Sequence, residues 1–124
     1  TMGMGTMSKR SRACEFSEKA KQEIRKRDGR CIFCKKEYNL PPEDEFYIDT
    51  HSYDYMHFIP RSHGGLGIAQ NGAIGCRWHH NMLDNGNKGR RREMLHIFEE
   101  YLKEHYAHWD KSKLVYDKWR WQCL

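Results

Sequence analysis

The spacing of apolar and polar positions changes along the chain, and each change marks an element. In SEKAKQEIRKRDG, Ala20 and Ile24 form a narrow apolar stripe between Ser17 and Gly29. Ser17 reads as an N-cap, Glu18 suits the first turn, the late Arg and Lys residues suit the last, and Gly29 is the stop. So thin a stripe predicts a helix that must dock on something to stay folded. From Glu45 to Phe58 (EFYIDTHSYDYMHF) the text turns aromatic and β-branched with partial alternation, Phe46, Ile48, Met56 and Phe58 against Tyr47, Tyr53 and Tyr55. One or two strands are expected there, ending at Ile59-Pro60 because proline cannot continue a central ladder. A loop with Gly64, Gly65 and Gly67 runs from Arg61 to Asn71, and Gly72-Ala73-Ile74-Gly75 pairs back as a second strand. Arg77 to Asp84 is then a short helix with Gly86 as its left-handed stop. From Arg90 to about Tyr106, the residues Met94, Ile97, Phe98, Tyr101, Leu102 and Tyr106 recur at helical spacing. Asp110 is the N-cap of a final helix carrying Leu114, Val115, Trp119 and Trp121, and the aromatic residues of this last third read as core.

Composition narrows the picture. With 124 residues the chain forms one small α+β domain, residues 8–124, and residues 1–7 (TMGMGTM) read as a cloning remnant outside the fold. Residues 8–15 (SKRSRACE) are polar, basic and expected to be loosely held. A hydrophobic content of 38% leaves little core to bury, so a metal staple would help the domain fold. Formal net charge is +5 with the eight histidines neutral, which favours a polyanionic partner, nucleic acid first. No run approaches the ~20 apolar residues of a membrane span, so no membrane partner is expected. Five cysteines, Cys14, Cys31, Cys34, Cys76 and Cys123, are an odd set with a close-spaced pair and no apolar export segment ahead of them. That usage fits a reducing compartment better than a disulfide scaffold.

The close-spaced cysteines carry the first chemistry. Cys31-Ile32-Phe33-Cys34 follows Gly29 and would turn two thiolates to one side of a knuckle. Alone it could be a redox pair or two buried cysteines. Cys76-x-x-His79 repeats the spacing, and the two knuckles together make a closed Cys3His set suited to tetrahedral zinc. Spacing selects His79 rather than His80 for that role. The basic face of Lys19, Lys26 and Arg27 reads as solvated surface in preference to a DNA contact. Lys88, Arg90, Arg91 and Arg92 are either phosphate contacts or a solvated helix start. His51, His63, His96, His105 and His108 read as surface or packing residues, and Cys14 and Cys123 have no assigned partner.

Taken in order, residues 28–86 hold Cys31-x2-Cys34, a strand ending in His57-Phe58-Ile59-Pro60-Arg61-Ser62, Gly64-Gly65, Asn71, Cys76-x2-His79 and His80. This resembles the HNH endonuclease family, the ββα-metal nucleases, in the subgroup with a flanking zinc knuckle. The resemblance implies a ββα-metal core, with the N-terminal helix and the C-terminal helices (about 90–121) outside it. It implies that His57 is the general base, oriented by a carbonyl of the facing loop, and that Asn71 holds that loop by side-chain hydrogen bonds. By the same resemblance His80 binds a single catalytic divalent ion (Mg, Mn or Ni), and Arg61 clamps a phosphate oxygen. Family members often carry Asp or His immediately before the base as a second metal ligand. Met56 stands there in this chain and cannot bind a hard cation. Asp84, four residues after His80 on one helix face, is the expected second ligand, with Asp54 a weaker candidate.

The leading expectation is therefore a metal-dependent endonuclease that hydrolyses phosphodiester bonds in double-stranded DNA, by nicking or double-strand cleavage. Family analogy adds a bacterial or phage cytoplasm and a role in packaging, restriction or mobile elements, with monomer and homodimer both open. The alternative is a zinc-knuckle nucleic-acid-binding module whose cleavage site has decayed, Met56 being the mark of decay. A zinc-stabilised protein-interaction domain is a third possibility.

Overall fold

Capping signals set the helices. The computed structural model describes residues 8–41, 53–85 and 89–117. Helix α1 spans Lys9–Cys14 and is capped by Ser8, whose hydroxyl accepts from Ser11 N at 3.0 Å. Helix α2, Glu18–Asp28, starts where the Ser17 hydroxyl accepts from Ala20 N and stops at Gly29, whose φ of 75° lies in glycine's permitted region. The one-turn helix α3, Ile32–Lys35, carries the first cysteine knuckle. Strands β1, Asp54–His57, and β2, Gly72–Gly75, form a two-stranded antiparallel hairpin, and helix α4, Arg77–Asn85, follows β2 at once. Helix α5, Arg91–His105, is the longest. The expectations on residues 1–7, Phe46, Tyr47, Ile48, His51, Gly86, Lys88, Trp119, Trp121 and Cys123 lie outside the described residues.

The hairpin register sorts the core into two layers. Tyr55 pairs with Ile74 and Met56 with Ala73, so neighbouring pairs face opposite sides. Ile74 packs with Phe16, Ala20, Ile24 and Ala69 under α2. Met56 and Ala73 face the larger cluster of Phe33, Leu83, Met94, Phe98 and Leu102, contributed by α3, α4 and α5. Phe98 sits edge-on to both Phe33 and Phe58, at centroid distances of 6.5 and 5.4 Å.

Three expectations change. Residues 8–15 are not loosely held: α1 packs against the glycine loop, with Gly67 N donating to Ala13 O and Arg10 reaching the carbonyls of Arg61 and Ser62. Arg27 is not a solvated residue, for its side chain is 7% exposed. It forks onto Asp28 and donates to the carbonyls of Ala69 and Gly72 and to the Tyr106 hydroxyl. Buried Asp28 also accepts from Ile74 N and the Tyr101 hydroxyl, so each charge is paired and hydrogen-bonded on leaving water. Finally, Asp110 caps one 3-10 turn, Lys111–Leu114, and Val115 leaves helical geometry to bridge Gly65. Edge pairing with the glycine loop satisfies backbone groups that a continuing helix would leave without partners.

Candidate functional site

Cys31, Cys34, Cys76 and His79 come together, buried, with one donor atom from each lying within 4.8 Å of the others. His79 Nδ1 stands 3.5, 3.5 and 3.3 Å from the sulfurs of Cys31, Cys34 and Cys76, and Cys34 lies 3.7 Å from Cys76. Zinc–sulfur bonds of about 2.3 Å and zinc–nitrogen bonds of about 2.0 Å imply tetrahedral edges of ~3.5–3.8 Å. The donor set therefore fits a metal such as zinc. Its local support is of the kind such sites use. Cys34 N points at Cys31 Sγ and His79 N at Cys76 Sγ, a backbone donor for a sulfur in each knuckle. The outer nitrogen of His79, Nε2, donates to Tyr38 O at 2.6 Å, which turns Nδ1 inward as the lone-pair donor. Hydrogen bonds from Cys34 and Cys76 outweigh burial and hold Cys31 well below the ordinary thiol range, while contacts with Cys31 and Cys76, joined by burial, push Cys34 up. Three sulfurs this close cannot all ionise without a cation among them. All four residues are buried, so a metal held there would have four protein ligands and no open position, as in sites of structural type.

A second group of polar side chains lines an open cleft of about 570 Å³ beside β1 and α4: His57, Arg61, His80 and Asp84, with Lys21 and Arg91 in its walls. His57 ends β1, and its Nε2 lies 2.7 Å from the carbonyl oxygen of Cys14. The ring must donate there, which leaves Nδ1 as the basic nitrogen. Phe16 stacks on the imidazole at 4.2 Å and 34°. Burial draws the pKa of His57 below the ordinary imidazole value, with the Cys14 hydrogen bond opposing and the Arg61 charge helping. The orienting carbonyl thus comes from the end of α1 and not from the facing loop, because α1 is folded against that loop.

Asn71 clamps the loop that separates the strands. It is fully buried, its Oδ1 accepts from Ile59 N at 2.8 Å, and its Nδ2 donates to Leu66 O at 2.8 Å and Ile59 O at 3.2 Å. The loop also needs glycine for close approach. A Cβ on Gly65 would meet Ile59 O at 1.6 Å, and one on Gly67 would meet the Glu15 backbone at 2.2 Å. The loop is thereby sewn on one side to residues 13–16 and on the other to residues 114–116, through Leu66 N to Leu114 O and Tyr116 N to Gly64 O.

His80, on the first turn of α4, is held between two carboxylates. Nδ1 lies 2.9 Å from Asp54 Oδ2 and Nε2 lies 3.1 Å from Asp84 Oδ2. His80 and Asp84 are four residues apart on one face of α4, and their contact has the length of a hydrogen bond or ion pair. Asp54 is taken up differently: it also receives both Arg77 Nε and Nη2. Partial burial would raise its pKa, but the bonds from Arg77 and His80 bring it below the ordinary carboxylate range. Met56 is buried and faces the core rather than the cleft.

Sequence reasoning missed Cys14, Phe16 and Tyr38, whose contributions are a carbonyl, a ring face and a second carbonyl. Carbonyls leave no residue-type signal. The apolar Phe16 ahead of the Ser17 cap was the one legible hint of a docked N-terminal segment. Compared with protein-family models, curated proteins and solved structures, the chain matches none.

Proposed function

We propose that the chain is a metal-dependent endonuclease of HNH type that hydrolyses phosphodiester bonds in double-stranded DNA. The observation that carries this reading is a single cleft walled by an imidazole at His57, oriented by the Cys14 carbonyl, and by the His80–Asp84 pair. His57 Nδ1 takes the proton of an attacking water, at modest cost because the ring is neutral near working pH. The Cys14 carbonyl then steadies the imidazolium through the Nε2 proton. Arg61 offers a planar fork to a phosphate oxygen, and Lys21 and Arg91 add positive charge along the walls. His80 Nε2 and Asp84 would hold a divalent ion (Mg, Mn or Ni), which when bound supplies charge neutralisation at the phosphate and at the leaving 3′ oxygen. The buried Cys3His centre, filled with zinc, keeps α4 and the knuckle together, and so keeps His80 in place next to His79. Sequence preference is weak, because a single hairpin–helix unit grips backbone more than bases.

The competing reading is a zinc-stabilised module that binds nucleic acid without cutting it. Met56 favours it, standing buried where a family member carries a metal ligand. A supercoiled-plasmid assay with added Mg, Mn or Ni separates the two. The nuclease reading expects metal-stimulated nicking that leaves 5′-phosphate and 3′-hydroxyl ends. It also expects His57→Ala to lose roughly 10²–10⁴-fold of the rate. Nicking that His57→Ala leaves unchanged removes His57 as base, and duplex binding with no metal-stimulated nicking selects the module.

A further inference from the structure

The geometry points to Asp54 as a positioning residue: it fixes the tautomer and ring angle of His80 and does not itself touch the ion in the cleft. The ion is the one proposed above, and to that extent the inference rests on that reading. An imidazole has two nitrogens on different sides of the ring, and the two carboxylates divide them, Asp54 on Nδ1 at 2.9 Å and Asp84 on Nε2 at 3.1 Å. One cation cannot share an edge with both. His80 and Asp84 line the cleft, and Asp54 is not among its walls. The Asp54 side chain is 17% exposed against 60% for Asp84, which also sets Asp54 behind the ring and Asp84 in front of it.

The fold builds this arrangement from register and helix period. Asp54 pairs with Gly75 at the end of the hairpin that leads into α4, so it stands beside the first turn of that helix. Arg77 and His80 are three residues apart and share a helix face, and both reach Asp54. Arg77 grips the two carboxylate oxygens at 2.9 and 3.3 Å and so sets the plane from which Oδ2 accepts the His80 proton. An imidazole that donates from Nδ1 to a carboxylate keeps a lone pair on Nε2 and becomes a stronger donor to a cation. Partners of this kind typically change metal affinity by roughly 10–100-fold. Asp54 thereby takes up through His80 part of the task that Met56 cannot perform directly.

The test reads the ring before it reads the ion. Long-range 1H–15N correlation spectra of the full, zinc-loaded chain without a second metal, at mildly alkaline pH, report which nitrogen of His80 carries the proton. We expect the Nδ1–H form in the parent. Asp54→Ala should lose that preference, and Asp54→Asn, whose amide oxygen still accepts, should retain it. A His80 protonated on Nε2 in the parent, or a His80 signal unmoved in Asp54→Ala, overturns the inference. Manganese binding, followed by calorimetry and by the paramagnetic broadening of His80, gives the second readout. Asp54→Ala should weaken it by about 10–100-fold, with Asp54→Asn between it and the parent. A loss as complete as that in Asp84→Ala, with the His80 tautomer unmoved, would instead make Asp54 a direct ligand. Zinc content and far-UV circular dichroism equal to the parent show that each variant is folded. Should the parent bind no manganese at His80, the nuclease reading fails, while the tautomer comparison still decides the role of Asp54.

Discussion

Burial of the His57 ring against Phe16 disfavours its charged form, so the imidazole gives up its proton at lower pH than free histidine does. Two consequences carry a sign. In its proposed role as base, His57 would be competent once neutral, so the ascending limb of any nicking rate should have its midpoint below the ordinary value of about 6.5; a midpoint above that would remove His57 as the group observed. For stability, the unfolded chain binds more protons than the folded one between the lowered value and about 6.5. The contribution from His57 is therefore full above that window and is lost as pH falls through it. Asp28 makes the second residue-scale case. It holds the buried Arg27 guanidinium, the Tyr101 hydroxyl and Ile74 N together, and removing one partner leaves a charge without compensation. Asp28→Ala should cost roughly 3–5 kcal/mol in a urea unfolding titration, and a loss well under that would show the network to be dispensable. Neither His57's protonation nor Asp28's importance is legible in the local text. Arg27 reads as one more lysine-like position in EIRKRDG until β2 and the Ala69–Asn71 turn are packed over it.

Among the elements, α1 and the glycine loop decide the site between them. The loop clasps residues 13–16 at a distance that admits no side chain at Gly67, and those same residues present the Cys14 carbonyl and the Phe16 ring to His57. Gly67→Ala should push the N-terminal segment off the loop and misplace His57. Nicking should then fall on the order of 10²-fold, with zinc content unchanged; a variant of full activity would show that α1 does not position the base. The helices with strong end signals were legible, because a cap acts within a few residues. Ser17 and Gly29 bound α2 as expected, and β2 and α4 lie where the GAIG run and the knuckle predict. Helix α1 was not legible, since its six residues carry no apolar stripe and its folding depends on contact with the loop. Val115 likewise answers to Gly65, fifty positions away in the chain.

For the whole molecule, a thin core and a buried Cys3His cluster that could hold a metal predict that fold and metal are coupled. Zinc bound to such a set contributes about 10–16 kcal/mol in finger peptides, comparable with the whole stability of a small domain at about 5–15 kcal/mol. A strong chelator, or Cys34→Ser, should therefore abolish the far-UV helical signal along with zinc, and a chain that stays folded without metal would refute the staple. If the chain binds duplex DNA as proposed, its formal charge of +5 and the Lys21, Arg61 and Arg91 side chains of the cleft should make that affinity fall with salt, with a log–log slope of about −0.9 per phosphate contacted. The amino-acid sequence by itself determined the elements with strong local signals and which three cysteines and one histidine would cluster, because caps, helical period and knuckle spacing act over a few residues. It also held the residue types His57, Asn71 and His80 in order. Only the tertiary structure decided that Cys14 orients His57, that Arg27 and Asp28 form a buried hub, and that Asp54 and Asp84 take opposite nitrogens of His80. Those are contacts between segments tens of residues apart, made through backbone carbonyls and ring faces, and they exist only once the hairpin, α1 and α4 have been brought together.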